Sequence, residues 1–509
     1  IDERGIQVGQ QAVQLDESLV TVPGLFLQNR TNYAQGQRIA SRGFGARAPF
    51  GIRGIHIRVD GIPYTLPDGQ AQIDAVDLDS ARHIEVLRGP SSVLYGNAAG
   101  GVLDVTTEDG TRRSDLASLK VQTGSDNFRK ISASAGNRVG DWSYNVSLSA
   151  LDFDGYRDQS AVEKRLLNTR LGYQIDGSRR VSMLVNILDL PVAEDPGGLT
   201  RAEVEANPRQ AAPLAAALQS GQSVEQQTLG LFYQDADMGG GELNLHGFTS
   251  WRRFEQQLPF PGSSLVGYDR AYYGAGVDYG FDMQAAGKPI RILTGTEVRR
   301  QEDDRSRNSV NINQEVTDVT GDEMQTATST GVFVLADVGL SDRLAMSAGI
   351  RHDWVRLEIA DRLASSVDAS GDKTFTEWSG SLGISYRFLQ SHQLYGNISN
   401  SFETPTFTEF ARPDGEPGFN VQLEPQKAFS RELGVRGYLG GIHYDLSAFW
   451  VDVDNELLPF EALDGRTYYE NAGETSRQGL ELEIDWALDH AWTLTSAVTF
   501  ASYRFDRFE

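Results

Sequence analysis

At 509 residues the chain is longer than one ordinary soluble domain. Its residues are 39% apolar, yet no run approaches the roughly 20 apolar residues of a membrane helix. A net charge of −24 argues against a nucleic-acid binder, which carries a basic stripe, and fits solvated turns and loops. Cysteine is absent, which excludes disulfide frameworks, thiolate metal sites and cysteine nucleophiles and leaves the redox compartment undetermined.

A membrane crossing without apolar helices requires strands closed into a barrel. The 53 glycines against 17 prolines suit an all-β chain with tight turns. No signal peptide stands at Ile1, so the sequence reads as mature or trimmed. Residues 1–112 have the texture of a compact α/β unit: short apolar runs, such as Ile84-Glu85-Val86-Leu87 and Val102-Leu103-Asp104-Val105, lie between glycine-rich turns. Residues 113–509 form a second unit in which the period changes to two. Trp142, Tyr144, Val146 and Leu148 alternate with Ser143, Asn145 and Ser147. The same holds from Leu167 to Ile175, from Leu344 to Trp354, and for Leu480, Leu482, Ile484 and Trp486 against Glu481, Glu483 and Asp485. One greasy and one polar face per segment fit an antiparallel barrel with a lipid face and a wet lumen.

Connections alternate as well. Gly140-Asp141 and Leu340-Ser341-Asp342 are short turns, whereas Pro191 to Val224, Asp303 to Gln325 and Glu403 to Gln426 read as long polar loops. A soluble β-sandwich also alternates, but it rarely sustains strands this long with such one-sided loops. About 17 strands can be placed, the last near Trp492 to Phe505. Single-chain bacterial barrels have an even number, so further strands are expected beyond Glu509.

The first unit carries Arg42-Gly43-Phe44-Gly45-Ala46-Arg47, Ile52-Arg53-Gly54 and Val59-Asp60-Gly61-Ile62-Pro63. It closes with the run from Ile84 through Arg88-Gly89-Pro90 to Tyr95-Gly96, then Gly100-Gly101-Val102-Leu103-Asp104-Val105. In this order the motifs resemble the plug domain of TonB-dependent outer-membrane receptors. Asn471 through Glu483 resembles the late-barrel signature of the same family. A narrower resemblance, to receptors for pyrroloquinoline quinone, rests on Val22-Pro23-Gly24 through Arg38 to Asp68-Gly69-Gln70. It rests also on Gly197-Gly198-Leu199-Thr200, Asn207-Pro208-Arg209-Gln210 and Phe402-Glu403-Thr404-Pro405-Thr406.

The resemblance implies a transmembrane barrel of 22 strands, about 17 of them in this chain, around an N-terminal α/β plug. It implies active uptake of a scarce small ligand driven by TonB with ExbB and ExbD. The implied ligand is pyrroloquinoline quinone or, alternatively, a ferric siderophore. It also implies a monomer in contact with outer-membrane lipid and lipopolysaccharide, and no cofactor. A TonB box should precede the plug by a few tens of residues, and none can be identified here. Within the family, plug arginines pair with barrel-wall glutamates; Arg42 and Arg88 are candidates for such a lock, against the alternative of ligand contact. Glu432 and Glu481 or Glu483 are the matching acids, since each alternates with lipid-facing apolar residues.

Two plug segments are candidate apices for ligand. Arg47 and Arg53 can grip carboxylates, Phe50 and Tyr64 can stack on a planar ring, and Asp68 and Gln70 lie on the second apex. The same residues can instead merely fix these loops to the barrel. Arg201 and Arg209 in the long loop complete a basic cup that would focus an anion. The seven histidines lack ligand-like pair spacing, and Asp74, Asp77 and Asp79 lack the pattern of a calcium loop. An outer-membrane barrel enzyme is the different-class alternative. It needs a placed nucleophile or acid pair, and none stands out, so no catalysis is expected.

Overall fold

A computed structural model describes residues 1–28, 31–48, 51–89, 91–111, 116–363, 368–412, 418–461 and 467–508. The expected boundary at 112/113 lies outside the described residues. In the N-terminal unit, β1 (Leu25–Gln28) and β2 (Arg38–Ser41) form an antiparallel ribbon. Strands β3 (Ile55–Val59), β4 (Ile62–Pro63), β5 (Ala81–Arg88) and β6 (Gly101–Thr107) form a sheet in the order β4-β3-β6-β5. The two apolar runs become β5 and β6, with Ile84 opposite Val105 and Val86 opposite Leu103.

Asp60 and Gly61 turn between β3 and β4 with φ of +52° and +86°, the paired positive angles a two-residue hairpin prefers. The Asp60 carboxylate then accepts from the Thr107 backbone N–H at 2.8 Å and from its hydroxyl at 2.6 Å, tying the hairpin to β6. Ile57, Val59, Ile84, Leu103 and Val105 pack with Ile6, Leu15 and Leu19 from the first turns of the chain. The same apolar cluster runs on into Leu166, Leu184, Leu188 and Val224 of the surrounding wall, so plug and wall share a core.

Among the described residues that wall has seventeen strands, from Ala117–Thr123 to Thr493–Phe508, in a closed barrel. Each pairs antiparallel with the next in the chain. In the strand Leu344–Asp361, Arg351, Asp353 and Val355 are buried inward while Ile350 and Trp354 face out. In Trp142–Phe153, Ser143, Asn145 and Ser147 are buried and Trp142 and Leu148 face out. Such an apolar exterior would be costly in water and is what lipid covers. Among the described residues no helix is long and apolar enough to cross a membrane.

Gly140-Asp141 and Leu340–Asp342 are tight turns, and the connection after Glu403 runs to Gln426 as expected. Two loop expectations change. Strands reach Glu194 and resume at Gly221, so the first loop is shorter and contains helices Arg201–Ala206 and Pro213–Ala217. Asp303 to Gln325 is mostly ladder: Asp303 pairs with Gln325 and Arg307 with Gly321, leaving 311–315 as the connection. Polarity there reports solvent on both faces beyond the lipid, whereas the ladder continues because backbone groups still find partners.

Candidate plug-barrel site

Arg42 follows β2 in a tight turn where Ser41 and Phe44 exchange backbone hydrogen bonds of 3.0 and 2.9 Å. A φ of +50° at Arg42 aims its side chain at the wall. Its Nε and Nη2 donate to the two oxygens of Glu481 at 3.1 and 2.8 Å, and Nη1 donates to Glu432 at 2.6 Å. The guanidinium lies 4.5 Å from the Phe449 ring centroid. Arg88, ending β5, reaches Glu481 at 3.3 Å and Asp445 at 4.0 Å. Arg42 and Glu481 are both buried, and such a pair persists only when every donor and acceptor is matched, as the bidentate geometry does here. Gly89 permits the approach, since a Cβ there would sit 2.8 Å from Arg42 Nη1.

Glu483 stands apart from this network. It shares the lumen face with Glu481 but lies two residues along the strand, about 7 Å away, so the arginines reach only one of them. Among the described residues the Glu483 side chain makes no hydrogen bond or ion pair, and His443 and Asp485 lie beside it.

Arg47 and Arg53 are placed differently from the ligand-facing expectation. Arg47 donates to Glu403 at 2.6 Å and to both oxygens of Glu409 at 3.0 and 3.3 Å. Arg53, 1% exposed, donates to the hydroxyls of Thr406 and Thr408 and lies 3.6 Å from Glu409. Both arginines are spent holding the loop after Glu403 onto the plug. Burial works against the Glu409 carboxylate, but Arg47 and Arg53 beside it hold it below the usual carboxylate range. Gly54 (φ +71°) is where this loop comes closest; a Cβ there would be 2.7 Å from Glu403. Phe50 lies outside the described residues.

On the second apex, Asp68 is 1% exposed and accepts from Gln70 through its backbone at 3.1 Å and its side chain at 2.9 Å. Burial pushes its pKa up to about 6, against the pull of Arg270. Tyr64 is buried, its hydroxyl has no partner among the described residues, and burial raises its pKa. It borders a cavity of about 30 Å³ shared with Arg252, Arg270 and Tyr272. Arg201 is 93% exposed and pairs with Glu205; Arg209 pairs with Asp126 and lies over the Tyr156 ring. These two stay in the outer loop, so the expected single basic cup is not assembled.

Sequence reading missed the partners that do meet. On the wall, Arg252 pairs with Asp74 at 2.7 Å, Arg270 with Asp303 at 2.6 Å and Lys130 with Asp79 at 2.6 Å. Asp195 accepts from Asn32 and Gln35 at 2.9 and 2.8 Å. For the arginines and Lys130 the signal was a charge in the lumen phase of a strand, as Arg252 is in phase with buried Ser250, whereas Asp195 lies just past its strand. At the short-turn end a cavity of about 800 Å³ opens between wall residues including Asp282, Arg291, Asp337, Tyr395 and Arg436, with no plug residue lining it.

A barrel with an apolar exterior, a charged lumen and a plug fastened by buried ion pairs defines a plugged outer-membrane barrel. Residues 2–102 match the TonB-dependent receptor plug domain and residues 122–509 match the TonB-dependent receptor-like β-barrel; the chain belongs to this family. Over 432 residues it is 26% identical to the rhizobactin receptor of Rhizobium meliloti (strain 1021), covering 71% of this chain and 56% of that one. Over 463 residues it is 23% identical to a hemin receptor of Yersinia pestis, covering 85% and 63%. The chain thus spans roughly 56 to 63% of the length of these two relatives. In fold it is similar to the unliganded ferric citrate transporter FecA, with TM-score 0.82, 18% identity and coverage of 98% and 77%. It is likewise similar to the copper transporter OprC, with TM-score 0.81, 16% identity and coverage of 100% and 80%.

Proposed function

We propose that the chain is the plug and much of the barrel of a transporter that takes up a scarce metal chelate, of siderophore or haem type, across the outer membrane. TonB, energised by ExbB and ExbD, supplies the force, and no bond is made or broken in the cargo. The observation that carries this reading is the fastening of the plug. Among the described residues the side-chain ties between plug and wall are hydrogen bonds, ion pairs and apolar contacts, and the Arg42, Arg47, Arg53 and Arg88 ties gather on the plug motifs. A pull transmitted through those motifs can break the ties without chemistry, and they reform once the force is gone. In this reading Arg42, Arg88, Glu432 and Glu481 are the lock. The monomer is embedded in lipid and lipopolysaccharide.

The chelate class is favoured by the names of the relatives, a rhizobactin receptor and a hemin receptor. Pyrroloquinoline quinone is the narrower alternative, and its three carboxylates would need free arginines. Arg47 and Arg53, the best placed for it, already hold Glu403 and Glu409. The test is calorimetric titration of the full-length, detergent-purified protein with ferric carboxylate siderophores, haem and the quinone, alongside uptake in cells with and without TonB. Chelate binding with TonB-dependent uptake is expected. Quinone binding alone would replace the ligand class, and uptake independent of TonB would overturn the transport mechanism.

A further inference from the structure

We propose that a first-row divalent metal ion, of the zinc, cobalt or nickel kind, binds the inner wall at His443, Glu483 and Asp485. The histidines show no ligand spacing along the chain, and it is the barrel register that brings these three together. His443 lies directly opposite Asp485 on the neighbouring strand, and Asp445 lies opposite Glu483. Glu483 and Asp485 are two residues apart on one face. A cross-strand pair plus its i+2 neighbour gives three converging side chains, since facing Cβ atoms lie only about 5 Å apart. The three can each offer a ligand atom within 4.8 Å of the others.

His443 Nδ1 lies 3.7 Å from Asp485 Oδ2. Two ligands on one such ion, with bonds of about 2.1 Å, sit roughly 3 to 3.5 Å apart, so small rotamer changes close the set. Thr495 donates to the other oxygen of Asp485 at 2.8 Å and leaves Oδ2 turned to the imidazole. Asp445 is already taken by the Tyr395 hydroxyl at 3.0 Å and by Arg88.

Charge points the same way. On this patch of wall and the plug above it, the five carboxylates of Glu432, Asp445, Glu481, Glu483 and Asp485 face the three guanidinium groups of Arg42, Arg88 and Arg436. Five less three leaves an excess of two negative charges, which one divalent ion cancels. Glu483, the acid of this patch with neither hydrogen bond nor ion pair among the described residues, is the one the lock leaves over. One imidazole with two carboxylates suits borderline first-row ions, with water completing the shell, better than calcium, which prefers oxygen alone. The site lies two residues from the Gly440-Gly441 turn, at the short-turn mouth of the lumen, and fastens the strand that carries Glu481 of the lock to its neighbour.

The test is titration of the full-length, metal-stripped protein in detergent with Co²⁺, read by its visible absorption, and with Zn²⁺, read by calorimetry. One ion per chain is expected. His443→Ala and Glu483→Gln should each weaken binding about tenfold or more, and His490→Ala should leave it unchanged. Heat-modifiable mobility on gels checks that each variant keeps a folded barrel. Should His443→Ala misfold, Glu483→Gln decides the matter by itself, because the Glu483 side chain makes no hydrogen bond or ion pair among the described residues and glutamine keeps its shape. Binding that survives both substitutions, or no binding below about 1 mM, overturns the proposal.

Discussion

Arg42 shows how much a single side chain can hold in this lumen. Its fork meets two carboxylates while an aromatic ring covers it, so truncation leaves Glu481 and Glu432 buried beside too little positive charge. Arg42→Ala is expected to weaken the plug's hold by about 3 to 5 kcal/mol, the cost of an uncompensated buried charge. Amide exchange of residues 39–59 in the full-length protein measures it. A loss below about 1 kcal/mol would mean that water solvates the stranded acids.

Asp68 gives a pH dependence of known sign. Its folded pKa, about 6, lies above the ordinary 3.8, so the folded plug binds the proton more tightly than an open one. Apical stability should therefore be highest below about pH 4, decline as pH rises towards about 6, and level off above, by roughly 3 kcal/mol in all. Asp68→Asn should flatten that profile. The readout is exchange of the 64–72 amides corrected for intrinsic rate, and an unchanged slope in the variant would assign the dependence to another group.

Among the elements, the loop after Glu403 is the one the sequence disguised best. Its sequence reads as a long polar loop, yet Phe407, Phe410, Phe419 and Leu423 are buried in it. Phe410 stacks on Phe419 with centroids 4.1 Å apart, and a Thr406–Glu409 capping box closes the short helical turn Phe407–Glu409. That turn presents Glu409 to Arg47 and Arg53, so aromatic packing sets the position of the ion pairs. Phe410→Ala should cost the loop about 3 to 5 kcal/mol and speed protease cleavage within it, with the barrel intact. Equal cleavage rates would show that the ion pairs alone hold the loop.

The strands were legible because lipid outside and charge inside impose a period of two on every segment. Trp142 to Leu148 and Leu480 to Trp486 needed nothing else. The hairpin around Asp303 and Gln325 was not, because above the lipid both faces are wet and the alternation vanishes while the ladder goes on. At the site, Arg42, Glu432 and Glu481 could be proposed from motif and phase. The choice between Glu481 and Glu483, and the capture of Arg47 by Glu403 and Glu409, depend on register between residues more than 350 positions apart. No local pattern carries that information.

For the molecule as a whole, the question is which part of the plug must leave the wall for cargo to pass. The cavity at the short-turn end lies against strands that also meet the plug helix Ser92–Tyr95, where Arg351 donates to the Leu94 carbonyl at 3.0 Å. In the same contact Val93 faces Gly349 so closely that a Cβ on Gly349 would lie 2.5 Å from Val93 Cγ1. With both residues cysteine, a shift of about 0.5 Å brings the position-349 Cβ to the roughly 3 Å it keeps from the far sulfur of a disulfide, the sulfur at position 93 replacing the clashing methyl. The chain has no cysteine of its own, so the pair Val93→Cys with Gly349→Cys forms one defined tether. If transport requires the plug to move off this wall, the oxidised double variant binds ligand as the parent does but takes none up. Reductant should then restore uptake, since it frees the helix without altering the binding surface. Undiminished uptake by the oxidised form would mean that residues 92–95 stay on the wall throughout and that the opening lies elsewhere around the plug.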